Sequence, residues 1–265
     1  MMAGSRTASQ AVRFVEGLAL PQAATIFTQA SAHPSFVVAG SLVCVSADVP
    51  SQAREDCINS TLLAQLAATH QHDRMTDAAN WYSDYINVLA NLGWDAQSFT
   101  FGSFATNGDV FTLDQPILQY IESLGADNEV ANVAYALVTI KGLGKDDKRL
   151  GLWESNSHAG QRGNFQIISV TMTDAIPVIK LGGFYLNTSN NITSLLFYDF
   201  DTLTDAVNQA VQTMNLNVDV YSGVRDQVKQ KLGNRVNDLV LELDVPNPRA
   251  SARRAVVGQA DERTR

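Results

Sequence analysis

Four short clusters in this 265-residue chain hold side chains capable of chemistry, and two cysteines stand apart from them. His70, His72 and Asp73 offer nitrogen and oxygen ligands. Their i, i+2 spacing in a helix-ending turn matches no zinc pattern, so they read as a solvated loop with no metal. Ser155 and His158 could form a nucleophile and base, yet no strand–turn–helix elbow or oxyanion glycine pattern surrounds them. A polar loop is the expectation there. Gly142-Leu143-Gly144-Lys145 lacks the spacing of a phosphate loop and follows a helix, so its amides would not converge on an anion. Asp199 and Asp201 flank Phe200 where a strand gives way to a turn, and they read as turn residues rather than paired catalytic carboxylates. None of these clusters is a catalytic set, and the chain reads as non-enzymatic.

Cys57 falls on the inner stripe of an expected helix and Cys44 on an expected strand. Each is open to two readings: a small buried hydrophobe, or a thiol that carries an acyl chain inside the fold. Two cysteines cannot staple a chain this long, and unpaired thiols fit a reducing compartment.

The elements that would position these residues change period near the middle. Before about residue 145 apolar residues recur at helical spacing, and strand-like runs fill 164–215. The expected elements are a helix over 9–18, a strand over 36–46, and a helix opening at Pro50-Ser51 with Cys57, Ile58, Thr61, Leu62 and Leu66 inward. A second helix runs from Asp77 to Gly93, pairing with the first as a hairpin, and Trp94 to Phe104 reads as a strand. Asp114 and Asp127 open two more helices, and the ANVAYALVTI run of the second is apolar almost all round, the mark of a buried helix. The charged KDDKR that follows reads as a solvated turn.

In the second half Asn164–Thr173, Ala175–Asn187, Asn191–Phe200 and Ala206–Asn215 read as four strands in an antiparallel meander. Val218–Gly233 restores helical spacing, and Asn237–Leu243 is a last strand or helical turn. Helices before strands favour an α+β fold, helices packed on a mostly antiparallel sheet. One domain is expected over 34–245, with flexible extensions at 1–33 and 246–265.

A formal charge of −8 without a basic stripe excludes nucleic acid as a partner and disfavours adsorption to anionic lipid. Any membrane contact must therefore be apolar. No run reaches the roughly 18–20 apolar residues of a spanning helix, and Glu16 interrupts the apolar patch near the start. The expectation is a protein cytoplasmic when made, released or secreted without a classical signal peptide.

The stretch from Gly163 to Leu216 resembles the sheet region of the cytolytic (Cyt-type) delta-endotoxins. In both, a hydrophobic strand precedes a Gly-Phe pair, here Gly183-Phe184, and a strand ending in aromatic residues follows, here Leu195-Leu196-Phe197-Tyr198-Asp199-Phe200. The order of elements is also similar to the Evf family of bacterial virulence factors. The resemblance implies a three-layer fold, a mostly antiparallel sheet held between helical hairpins, in a protein that perturbs membranes or holds a fatty acyl chain. Its partners would be membrane lipid or a fatty acyl ligand, with self-association on the membrane. Phe165, Ile167, Leu195 and Phe197 are then the candidates for lipid contact. Evf-type proteins are acylated on a cysteine, but the second half of this chain has none, which leaves Cys57 and Cys44 as the attachment candidates. Apart from such an acyl chain no cofactor is expected.

Overall fold

The computed structural model describes residues 34–105 and 110–243, together with Gln10, Ala11, Arg13 and Gly17. Those four residues are helical, as expected for 9–18; the rest of 1–33, and the tail from 244, lie outside the described residues. In chain order the elements are β1 (Ser35–Val38), β2 (Ser41–Val45), α1 (Ser51–Gln71), α2 (Ala78–Asn91), β3 (Gly102–Ser103), β4 (Val110–Thr112), α3 (Asp114–Leu124), α4 (Asp127–Lys141) and α5 (Lys148–Ser157). There follow β5 (His158–Ala159), β6 (Arg162–Thr173), β7 (Ile176–Asn187), a 3-10 turn (Leu195–Phe197), β8 (Asp199–Asp201), β9 (Ala206–Asn215), α6 (Val218–Ser222), α7 (Arg225–Leu232), α8 (Arg235–Leu239) and β10 (Val240–Leu243).

Period-two alternation along β6 decides the layering. Ile168 and Val170 join a core with α1, α2 and α7, whereas Phe165 and Ile167 point the other way, into a core with α3, α4 and α5. The sheet between them runs β10-β1-β2-β6-β7-β9-β3, antiparallel except where β2 lies parallel to β6. The result is the expected three-layer α+β arrangement. Gly93 (φ 103) and Gly125 (φ 78) follow α2 and α3 in conformations that an L side chain rarely adopts, which explains why those helices stop where they do.

Several elements depart from expectation, each for a local reason. The strand expected over 36–46 is a hairpin, β1 and β2, reversed at Ala39 (φ 48) and Gly40. Of Trp94 to Phe104 only β3 and a bridge from Trp94 to Leu216 pair with other strands. Asn191–Phe200 is not a meander strand: Leu195 and Leu196 are buried in the same core, whereas neighbours on a strand point to opposite faces, and they form the 3-10 turn. β8 leaves the large sheet and pairs with β4 in a separate two-stranded ribbon. The helix expected from Val218 breaks at Gly223-Val224 into α6 and α7, yet Val220, Val224, Val228 and Leu232 all stay buried.

The charged run before Leu150 does more than turn. Asp147 caps α5 by accepting from the Arg149 amide, so a helix that buries Leu150 and Trp153 opens where a solvated turn is expected. The helix buried all round is α1, whose residues from Asp56 to Ala68 are all buried. α4 is amphipathic, with Val133, Ala136, Leu137 and Ile140 inward and Val138 outward.

Candidate functional site

The α1–α2 face of the sheet is wired by polar groups. Arg74, in the turn between the two helices, points inward with 8% of its surface exposed. It donates to the Asn164 carbonyl at 3.0 Å, to Gln65 Oε1 at 3.3 Å and to Gln166 Oε1 at 3.4 Å, and its guanidinium lies 4.7 Å from the Trp81 ring centroid. Its partners are neutral, and desolvation lowers its pKa to about 10. Tyr82 Oη accepts from Gln166 Nε2 at 2.8 Å and from the Phe184 amide at 3.0 Å. The Gly40 amide completes the cradle by donating to Gln65 Oε1. A Cβ at Gly40 would lie 2.6 Å from the guanidinium, so the β1–β2 turn can enter only as glycine.

The opposite face is aromatic and largely apolar. Phe165 and Phe184 stack across β6 and β7 with centroids 4.8 Å apart, and Trp153 of α5 meets Phe165 edge-on. Tyr120 of α3 lies against Gly182, where a Cβ would come within 2.7 Å of its ring. A Lys180–Glu129 ion pair at 3.0 Å is the main charged contact drawn into this layer.

Apolar side chains continue from this face onto the surface at the ribbon. Leu203 is 89% exposed at the tip beyond β8, Val138 69%, Val110 58% and Phe197 57%. The tip is a fastened loop: Asp201 Oδ1 accepts from the Leu203 amide at 2.8 Å, the Asp201 carbonyl accepts from the Asp205 amide at 2.8 Å, and Asp205 Oδ2 accepts from the Asp201 amide at 3.1 Å. Val110 stands opposite Asp201 across the ribbon. Lys141 Nζ lies 5.9 Å from the Phe197 ring centroid and binds Asp114, which joins the start of α3 to the end of α4. This tip is the candidate functional surface.

Of the four lipid-contact candidates, Phe165, Ile167 and Leu195 are fully buried and Phe197 is exposed. Cys44 and Cys57 are both buried and unpaired. Burial pushes the Cys44 thiol up to about 12, and burial followed by the charge of Asp56 raises that of Cys57. In this conformation neither is a nucleophile.

The other clusters resolve individually. His72 Nδ1 lies 2.9 Å from Asp77 Oδ2 and its Nε2 3.4 Å from Asp84 Oδ2, closing the α1–α2 turn. Asp73 accepts from the Met75 and Thr76 amides and is held below the usual carboxylate range, mainly by Thr76. Among the described residues no group of three His, Cys, Asp or Glu side chains is placed to hold a metal. His158 Nε2 lies 2.6 Å from Glu154 Oε2, and Ser194 Oγ donates to Glu154 Oε1 at 2.7 Å. A carboxylate between the histidine and the serine reverses a hydrolase relay, which needs the imidazole in the middle. Gly142 caps α4. Asp199 and Asp201 are exposed on either side of buried Phe200.

Sequence reasoning did not single out Arg74, Glu154, Val110 or Leu203. The one available signal is Asp201-Thr-Leu-Thr-Asp205, a leucine between two loop-fastening aspartates.

No family model matches the chain, and none of the curated proteins matches it. Among solved structures it is similar to one described as "Structure of the Evf virulence factor", at 10% identity and a TM-score of 0.33, over 74% of this chain and 81% of that one. Among the described residues no helix is long and apolar enough to cross a membrane.

Proposed function

We propose that this chain is a non-enzymatic, membrane-interacting protein of the virulence-factor or cytolysin-like class that its sequence resembles, and that the ribbon tip makes its first contact with lipid. The observation that carries this reading is Leu203, bare on a loop whose own hydrogen bonds hold it outward, with Val110, Phe197 and Val138 exposed on the adjoining elements. A fastened apolar protrusion enters the acyl boundary without paying ordering entropy. Each fully buried side chain of this kind contributes about 1.5–3 kcal/mol, so four partly exposed ones give on the order of 4–6 kcal/mol. That is reversible docking, similar in scale to a single acyl chain. Deeper perturbation would require Phe165, Ile167 and Leu195 to exchange the helices over them for lipid.

Flotation and dye leakage with neutral and anionic vesicles test the reading. Wild type should float with vesicles, and Leu203→Asp should lose most of that association without loss of fold. Absence of flotation on both vesicle types overturns it. Intact mass tests the alternative of a soluble protein that binds a fatty acyl chain or another small hydrophobic ligand. An acyl mass lost on Cys57→Ser or Cys44→Ser would move the function to that class.

A further inference from the structure

We propose that Glu154 is a positioning residue of the contact surface, a carboxylate that fixes the direction in which Phe197 points. The proposal rests on the membrane-contact reading and concerns how that surface is held. Glu154 projects from α5 and takes three partners at once. Oε1 accepts from Ser194 Oγ at 2.7 Å, while Oε2 accepts from the Leu195 amide at 3.1 Å and lies 2.6 Å from His158 Nε2. The turn then closes on the same residue, because the Phe197 amide donates to the Ser194 carbonyl at 3.3 Å. Orientation imposed at Ser194 is thereby passed to Phe197.

Other contacts hold the turn's root, and Lys141 lies over the Phe197 ring, but none of them bonds Ser194 and the Leu195 amide as Glu154 does. Leu195 and Leu196 are buried in the aromatic layer, and the Ile192 amide donates to the Gly160 carbonyl at 2.8 Å. Apolar burial is non-directional, whereas hydrogen bonds to a fixed carboxylate are directional. The Glu154 side chain is 18% exposed and that of His158 13%, so solvent screens the joint weakly. Burial by itself would raise the Glu154 carboxyl; the bonds from His158, Leu195 and Ser194 outweigh it and hold the group below its usual range.

The test uses the full chain as wild type, Glu154→Leu, Glu154→Gln and Phe197→Ala, with phosphatidylcholine vesicles and with vesicles containing phosphatidylglycerol. Two quantities are read, vesicle association and amide exchange at residues 195–198. Glu154→Leu should speed exchange at these amides about tenfold and weaken association to the level of Phe197→Ala. Glu154→Gln keeps an acceptor for the Leu195 amide and a group for Ser194, so it should retain most of both. If Glu154→Leu floats and exchanges as wild type while Phe197→Ala is weakened, the positioning role is overturned and the contact reading survives. Should Phe197→Ala float as wild type, Phe197 is no membrane contact, the positioning role for that contact falls, and Leu203→Asp alone decides the wider reading. If Glu154→Leu does not fold, Ser194→Ala makes the same comparison with one bond removed, and unchanged exchange at 195–198 overturns the proposal.

Discussion

The two faces of the sheet are built on different principles. Towards α1 and α2 the interior holds Arg74, Gln65, Asn164, Gln166 and Tyr82 in one hydrogen-bonded set, so each strand and helix there has a unique register. Both interiors carry aromatic clusters, but towards α3, α4 and α5 the polar set is smaller, Lys180, Glu129 and Ser169, and apolar side chains run outward to Phe197, Val110 and Leu203. A directional interior fixes geometry and tolerates little. An apolar one tolerates change and can exchange one apolar neighbour for another, which is the property a lipid-facing layer needs.

Substitution at Arg74 should separate the faces most sharply. Arg74→Ala leaves buried acceptors without a donor and a cavity against Trp81, at a cost of about 2–4 kcal/mol measured by urea unfolding. Arg74→Met, which refills the cavity but leaves the same acceptors without a donor, should recover less than half of that loss. If the alanine variant costs under about 0.5 kcal/mol, the polar set does not organise its face. On the other side Gly182→Ala drives a Cβ into the Tyr120 ring and should cost about 1–3 kcal/mol, visible as a lowered Tm.

Acid should act through carboxylates on both faces. Asp73, at the α1–α2 turn, is held low mainly by Thr76; Asp147, which caps α5, mainly by Arg149; Glu154 is lowered by its hydrogen bonds despite burial. A carboxyl lowered by folding contributes stability that is complete above its unfolded value, about 4, and lost as pH falls through the folded value. Unfolding free energy should therefore hold steady from about pH 7 to 5 and fall below about 4, with a shallower fall in Glu154→Gln.

A smaller effect is expected at the β6–β7 turn, where Asp174 (φ 49) and Ala175 (φ 64) both sit in the left-handed region. Ala175→Gly should raise stability by up to about 1 kcal/mol by relieving that strain. Leu203→Ala should change stability least, within about 0.5 kcal/mol, because its side chain is already in solvent.

Much of this architecture is legible in the chain. The helix start at Asp77, the stop at Gly125 and the long runs of β6, β7 and β9 carry local signals that the fold obeys, although Asp77 makes no side-chain cap bond and Asp114 is the first residue of α3, with Leu113 at the cap position. What escapes notice depends on contacts distant in sequence. Gly40 reverses a hairpin because Arg74, 34 residues on, occupies the space of its missing side chain. α1 is buried all round although it carries Asp56, Asn59 and Gln65, since Asp56 meets the Arg225 guanidinium in two 2.8 Å bonds and Gln65 meets the β1–β2 turn. ANVAYALVTI looks more buried than it is, because Val138 is left 69% exposed among the described residues. The candidate surface is legible only at Phe197; Leu203 lies in a polar turn whose fastening by Asp201 and Asp205 appears only in three dimensions.

An environment-sensitive fluorophore on Leu203→Cys, compared with the same label on Lys229→Cys of α7, tests the central claim most directly. Cys44 and Cys57 are buried, with raised thiol pKa values, so the introduced thiol takes the label. On mixing with vesicles the probe at 203 should shift to the blue and become shielded from aqueous quencher, while the probe at 229 stays in water. Equal exposure of both probes in the vesicle-bound protein would contradict docking through the ribbon tip.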